Sequence, residues 1–227
     1  MAKQRSGDTR EKLLHAASIV FVEKGFRDAT VAEICKLASA NISAVNYYFG
    51  SKEALYQEAW RHAFAEAVEA HPADGGVSND APAEERLHGQ VRALIRRIAD
   101  ENSRDFLISQ REFINPTGLL EDVMRLEFIP LREKTLAVMR DLLGPDASEE
   151  QVVFCETAVL SMCFHPMVLQ KAGRRVKSAE APVLITDLEA YARSVVKFAL
   201  AGIAAVRGDS SLTGLSVRRP DVRASGS

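Results

Sequence analysis

Apolar positions recur at helical spacing along almost the whole chain, and helix punctuation marks where the pattern stops. Leu13, Leu14, Ala17, Val20 and Phe21 form one stripe of a first helix. It opens at Asp8-Thr9-Arg10-Glu11 with capping-box spacing and ends at Gly25. Thr30, with Glu33 three positions on, opens a second helix with Val31, Ile34 and Ala38 inward and Leu37 beside them. Ser39-Ala40 leaves room only for a tight turn. Asn41 caps a third helix in which Ile42, Val45 and Phe49 point inward, and Gly50 ends it. Ser51 caps a fourth helix that runs to about Ala70.

The later pattern is also helical. Residues 71–82 hold Gly75-Gly76 and two prolines and read as a flexible loop. Residues 83–100 are amphipathic, with Leu87, Val91, Leu94, Ile95 and Ile98 inward and Arg92, Arg96 and Arg97 outward. A helix from about Ser103 carries Phe106, Leu107, Phe113 and Ile114 up to the break at Asn115-Pro116-Thr117-Gly118. The next runs to Leu143 and contains Pro130, which removes a backbone hydrogen bond and predicts a kink or a division. Gly144-Pro145 ends it. Helices over 148–171 and 183–206 complete the pattern, and the Ser/Gly/Arg-rich tail from Gly208 reads as disordered. No repeat and no strand pattern emerges, so the expected fold class is all-α.

Residues 30–56 carry the chemistry. A short capped helix, a tight turn and a second short helix form a helix-turn-helix DNA reader. The second helix presents Ser43, Ala44 and Tyr47 outward, with Asn46 and Tyr48 on its flanks. Lys52 sits in the first turn of the next helix, where the partial positive charge of the N-terminus disfavours a cation. An anion opposite would reverse that preference, since exposed N-terminal amides and a lysine make a phosphate site. A solvated surface lysine is the plainer alternative.

The segment resembles the N-terminal domain of the TetR family of bacterial transcription regulators. Ala17, Phe21, Gly25, Phe26, Thr30, Ile34, Ala38, Phe49, Lys52, Glu53 and Leu55 match in order and without gaps over about residues 9–60. Two positions depart. Ser39 stands where the family often has glycine, and Asn46 where it usually has a phosphate-touching tyrosine. The resemblance implies a DNA-binding set of Thr30, Asn41, Ser43, Ala44, Asn46, Tyr47, Tyr48 and Lys52. Of these, Thr30, Tyr48 and Lys52 would hold phosphates. Ser43, Ala44, Asn46 and Tyr47 would approach base edges or the adjoining backbone.

Charge fits once it is divided. The net charge of -2 resolves into +2 over residues 1–62 and -4 over the remainder, with Lys3, Arg5 and Arg10 clustered in the opening arm. Cys35, Cys155 and Cys163 form no CxxC pair and read as buried thiols of a reducing cytoplasm. The polar opening is not a signal peptide, and no stretch approaches ~20 uninterrupted apolar residues, so no membrane span is expected.

A narrower resemblance covers residues 83–205. Arg111-Glu112, Pro116-Thr117, Glu127, Pro130 and Leu142-Leu143-Gly144 look like the effector domain of the CecR-type subgroup. That resemblance implies a small-molecule effector without naming it. Polar groups beside apolar walls at helix breaks give the candidate ligand contacts Arg111, Glu112, Phe113, Glu127, Phe128, Met162 and His165. Arg111 with Glu112 also reads as an ion pair, His165 as a core or interface histidine, and Met162 as packing. Apolar residues on several sides of the last two helices, among them Val159, Leu160, Val195, Val196 and Phe198, exceed what one core can hide. A homodimer would cover them, and two heads would then read a near-palindromic operator.

The expected organisation is a helix-turn-helix domain over 1–52, an effector and dimerisation domain over 53–206, and a tail over 207–227. The expected function is a ligand-responsive repressor on double-stranded DNA, with no cofactor, no metal and no membrane partner. An interaction module without DNA binding is the alternative. A di-iron enzyme is remote, because Glu85 and His88 have Glu-x-x-His spacing in one copy only.

Overall fold

A computed structural model describes residues 2–176 and 185–207, with side chains for 8–170 and 185–207. The tail from Gly208 and the arm residues Lys3 and Arg5 lie outside that description of structure and side chains, respectively. Among the described residues there are nine helices and no strand: α1 (Ala2–Asp28), α2 (Val31–Leu37), α3 (Ile42–Tyr48), α4 (Lys52–Ala70), α5 (Ala83–Ala99), α6 (Arg104–Ile114), α7 (Glu121–Leu143), α8 (Glu149–Val176) and α9 (Leu188–Arg207). The all-α class holds. The chain folds as two compact units, one of residues 1–73 with 96–131, the other of residues 74–95 with 132–227.

Several elements differ in detail from their sequence reading. The first helix begins before Asp8, which becomes an interior residue paired with Lys12 one turn on. Gly25 leaves helical geometry as expected, at φ 78° and ψ 175°. Helix α7 runs through Pro130 as one element. The last helix starts at Leu188, with Asp187 accepting from the Ala190 amide at 2.9 Å.

The first unit is built around Leu13, Leu14, Phe21, Ile34, Val45, Leu55, Tyr56, Trp60, Ile108 and Leu120, all nearly or fully buried. Its unusual feature is the buried face of α6. Asp105, Ser109 and Glu112 recur at one-turn spacing and face Tyr56 and Trp60 of α4. Buried polar groups are costly without partners, and most of these have them. Trp60 Nε1 donates to Ser109 Oγ at 2.9 Å, and Ser109 donates to the Asp105 carbonyl at 2.7 Å. Tyr56 donates to Glu112 at 2.7 Å, and burial together with that carboxylate pushes the phenol's pKa up. Arg97 does not point outward. It pairs with Asp105 and lies 4.5 Å from the Phe64 ring centre, because a buried carboxylate demands a cation more than α5 demands a clean polar face.

The second unit packs α8 on α9. Val152, Cys155, Val159, Cys163 and Met167 form the stripe on α8, and Ala192, Val195, Val196, Ala199 and Ile203 face it on α9. Both ends are pinned. Gln151 donates to the Val206 carbonyl at 3.1 Å, and Gln170 brackets the Ile185 backbone at 2.9 and 3.2 Å. Arg132 of α7 forks onto buried Glu156 at 2.9 to 3.1 Å. Residues 149–170 are long and apolar enough to cross a membrane by composition, but that buried ion pair and the α9 contact mark a core helix. The segment before α5 sits directly on it. A Cβ on Gly89 would lie 2.3 Å from the Asp74 carbonyl oxygen, and Arg92 donates to the Gly75 carbonyl at 2.6 Å.

Candidate nucleic-acid interface

Three caps define the interface. The Thr30 hydroxyl accepts from the Glu33 amide at 3.3 Å, and the Glu33 carboxylate accepts from the Thr30 amide at 3.1 Å, a complete capping box. Asn41 Oδ1 accepts from the Ala44 amide at 3.0 Å and also from the Ser43 hydroxyl. Ser51 Oγ accepts from the Ala54 amide at 3.1 Å. Helices as short as α2 and α3 are marginal alone, so these caps and the packing of Ile34, Val45 and Phe49 hold them.

Hydrogen bonds from Lys24 first, then from Thr30, hold the Glu33 pKa down at about 2. A depressed carboxylate pKa contributes stability that is full above the unfolded value and is lost as pH falls through the folded one. The α2 cap is therefore expected to persist at pH 4 and to fail only toward pH 2. A carboxyl-carbon titration by NMR that found a midpoint near 4.5 would contradict this.

The turn between α2 and α3 carries strain. Ser39 has φ 52°, the left-handed region that disfavours a side chain. Ser39→Gly should relieve about 1 kcal/mol, less the added freedom of the unfolded chain. The expected result is a thermal midpoint raised by a few degrees with unchanged DNA affinity; a lowered midpoint would show that the turn is not strained.

The structure places most of the DNA set on one surface and corrects parts of it. Thr30, Asn41, Ser43, Asn46 and Tyr47 are exposed, Tyr47 to 80%. Ala44 and Tyr48 are half-buried against the head's core, and Tyr48 meets Tyr47 edge-on at 4.9 Å. Ala44 thus belongs partly to the packing face. Ile42, expected inward, is 53% exposed. It is the first residue of α3, and side chains lean toward a helix's N-terminus, so Ile42 projects past the packed face. Leu37, at the end of α2, is exposed for a similar end-of-helix reason. Lys52 is half-buried, with Nζ 4.5 Å from the Phe26 ring centre and 3.5 Å from the Arg27 carbonyl. It is neither a plain solvated lysine nor free of intramolecular work.

The seven ligand candidates do not form one cluster. Arg111 donates to the Glu23 carbonyl at 2.9 Å, whereas its neighbour Glu112 turns to Tyr56 and Thr117. Phe113 is 74% exposed. Glu127 pairs loosely with Arg61 at 4.0 Å, and Phe128 packs edge-on to Trp60 and Phe64. In the second unit, the Met162 carbonyl accepts from Tyr191 at 2.7 Å and His165 is exposed. A shallow cavity of about 360 Å³ in that unit is lined by Glu84, Glu85, His88 and Arg92 over Val77, Val196 and Leu200, none of them a candidate. Among the described residues no group of three or more His, Cys, Asp or Glu is placed to hold a metal. Burial pushes all three cysteine thiols up, Cys163 to about 12, which opposes thiolate chemistry near neutral pH.

Two short capped helices joined by a tight turn, beside a third capped helix and ahead of a helical remainder, define a helix-turn-helix transcription regulator. Residues 13–59 match the family described as "Bacterial regulatory proteins, tetR family". Residues 83–203, more than half of the chain, match "HTH-type transcriptional dual regulator CecR, C-terminal domain". The chain belongs to the TetR family of transcriptional regulators, with a CecR-like C-terminal part, and members of this family are not enzymes. It is similar to the transcriptional dual regulator CecR of Shigella flexneri, 29% identical over 170 residues that cover 66% of this chain and 72% of that one. It is similar to the transcriptional repressor NicS of Pseudomonas putida, 39% identical over 62 residues, or 27% of this chain and 29% of that one. The match thus spans under a third of that relative's length. The regulator PfmR of Thermus thermophilus shares the fold at a TM-score of 0.58 and 21% identity, over 83% of this chain and 97% of that one.

Proposed function

We propose that the protein is a ligand-responsive repressor that binds a near-palindromic operator as a homodimer in the cytoplasm and leaves it when a small molecule binds. The exposed face of α3 carries this reading: Ser43, Asn46 and Tyr47 stand clear of the head's core while Val45 and Phe49 anchor the helix from behind. Recognition helices contact base edges with their N-terminal residues. Ile42 joins the reading set on that ground, since an exposed aliphatic there suits a thymine methyl. Thr30, Tyr48 and Lys52 hold phosphates, and the Asn41 cap keeps the start of α3 in place.

The division into a head over 1–52 and an effector and dimerisation part over 53–206 belongs to the same proposal. Phe198, 72% exposed on α9, and Phe154, exposed on α8, support a dimer surface in the second unit. Effector contacts are assigned to Phe113, Glu127, Phe128, Met162 and His165. The polar atoms of Arg111 and Glu112 are already held, so these two act on the response. The ligand must bind the released state more tightly than the DNA-bound one, or no shift follows. The CecR-like part favours a second reading, a dual regulator, because that relative is named as one.

The test is genomic footprinting with the purified protein, followed by gel shifts on the recovered promoters and release by candidate compounds. A discrete two-half-site footprint lost on adding one compound is the expected result. A protein that retains no DNA, or that runs at the mass of a single chain, would overturn the reading.

A further inference from the structure

The head's first helix ends at a break that no residue of the head fully repairs. Gly25, at φ 78° and ψ 175°, interrupts the ladder two residues after Glu23, and a helix end leaves its last carbonyls without partners. The Gly25 carbonyl accepts from the Ala29 amide at 3.3 Å, and the Arg27 carbonyl receives Lys52 at 3.5 Å. The Glu23 carbonyl is taken by Arg111 of α6, 88 positions away, at 2.9 Å. The other terminal nitrogen of that guanidinium lies 3.4 Å from where a Cβ on Gly25 would stand. A cation at a helix C-terminus is favoured both by the dipole and by the donors it offers.

Arg111 stands on a fixed base. Glu112 is buried and accepts from Tyr56 at 2.7 Å and from the Thr117 amide at 3.0 Å. The Tyr56 ring meets Phe21 at 4.6 Å and Phe26 at 5.1 Å, and Lys52 lies over Phe26. The turn leading into Thr30 and α2 is therefore gripped by α6 on one side and by the candidate phosphate lysine on the other.

We propose that Arg111 is a positioning residue for operator binding: from α6 it sets the turn after α1, and with it the α2–α3 pair and Lys52, without touching DNA. This rests on the operator reading above and goes beyond it, because it assigns operator geometry to a residue in the CecR-like part. It also gives any displacement of the end of α6 a direct route to the reading helices.

The experiment uses the full chain and the recovered promoter duplex, with affinity followed by fluorescence anisotropy across a salt series. Arg111→Gln should weaken binding about three- to thirtyfold, the range for residues that couple sites. The salt slope should stay at the wild-type value, since no phosphate contact is lost. Arg111→Lys, which keeps a cationic donor, should recover part of the affinity. Hydrogen exchange should quicken over residues 25–30 while the thermal midpoint still shows a folded protein. Wild-type affinity in folded Arg111→Gln would overturn the proposal and leave the operator reading intact. A slope shallower by about one would overturn it differently, by making Arg111 a phosphate contact. A wild type that binds no promoter would sink the operator reading and the positioning role together.

Discussion

Trp60→Ala is expected to destabilise the first unit by about 3–5 kcal/mol, the range for removing a large buried aromatic. The Trp60 side chain is fully buried, stacks on Phe64 at 5.1 Å and meets Phe128 edge-on at 5.6 Å. Its indole N–H also serves Ser109 at 2.9 Å. Alanine removes the ring volume and the donor together, and α4, α6 and α7 lose a shared filler. Trp60→Phe keeps most of the packing and forfeits the hydrogen bond, so it should cost less, about 1–3 kcal/mol. Denaturant unfolding followed by circular dichroism gives both values. An alanine variant within about 1 kcal/mol of wild type would mean that the three helices do not depend on this cluster.

Much of the fold was legible because its information is local. The caps at Thr30, Asn41 and Ser51, and the stops at Gly25, Gly50 and Gly144, are written in residue types whose preferences act within one turn. Ser39 was legible as a strained turn for the same reason. The polar face of α6 was not. Periodicity sorts residues by polarity, and Asp105, Ser109 and Glu112 are polar residues that face inward because Arg97, Trp60 and Tyr56 reach them from elsewhere in the chain. Arg97 was misplaced by the same logic. Ile42 failed differently: its angle on the helix is that of an inward residue, but it sits at the end where the packed face has run out. The grouping of Arg111 with Glu112 shows the limit of adjacency, since neighbours on a helix point about 100° apart and serve different elements. The Glu23 carbonyl that binds Arg111 carries no side-chain signal at all.

Lys52→Gln should weaken binding to every duplex by about ten- to a hundredfold, the loss of one charge-assisted contact. The slope of log affinity against log salt should flatten by about 0.9, one phosphate's worth of released counterion. Glutamine is the telling replacement because Lys52 has a second task in the free protein, covering Phe26 and approaching the Arg27 carbonyl. It keeps a stem and a donor for that task while removing the charge, so a stable variant with a flattened slope separates the two roles. Lys52→Arg should restore the slope even if the altered geometry leaves some affinity lost. Tyr47→Ala makes the contrast. Tyr47 is exposed, touches only Tyr48 among the aromatic rings, and carries no charge, so its loss should depend on the operator sequence and leave the slope unchanged. A Lys52→Gln variant that kept the wild-type slope would leave its lysine a purely structural clasp on the end of α1, and the phosphate contacts would then have to come from Thr30, Tyr48 and the amides at the start of α4.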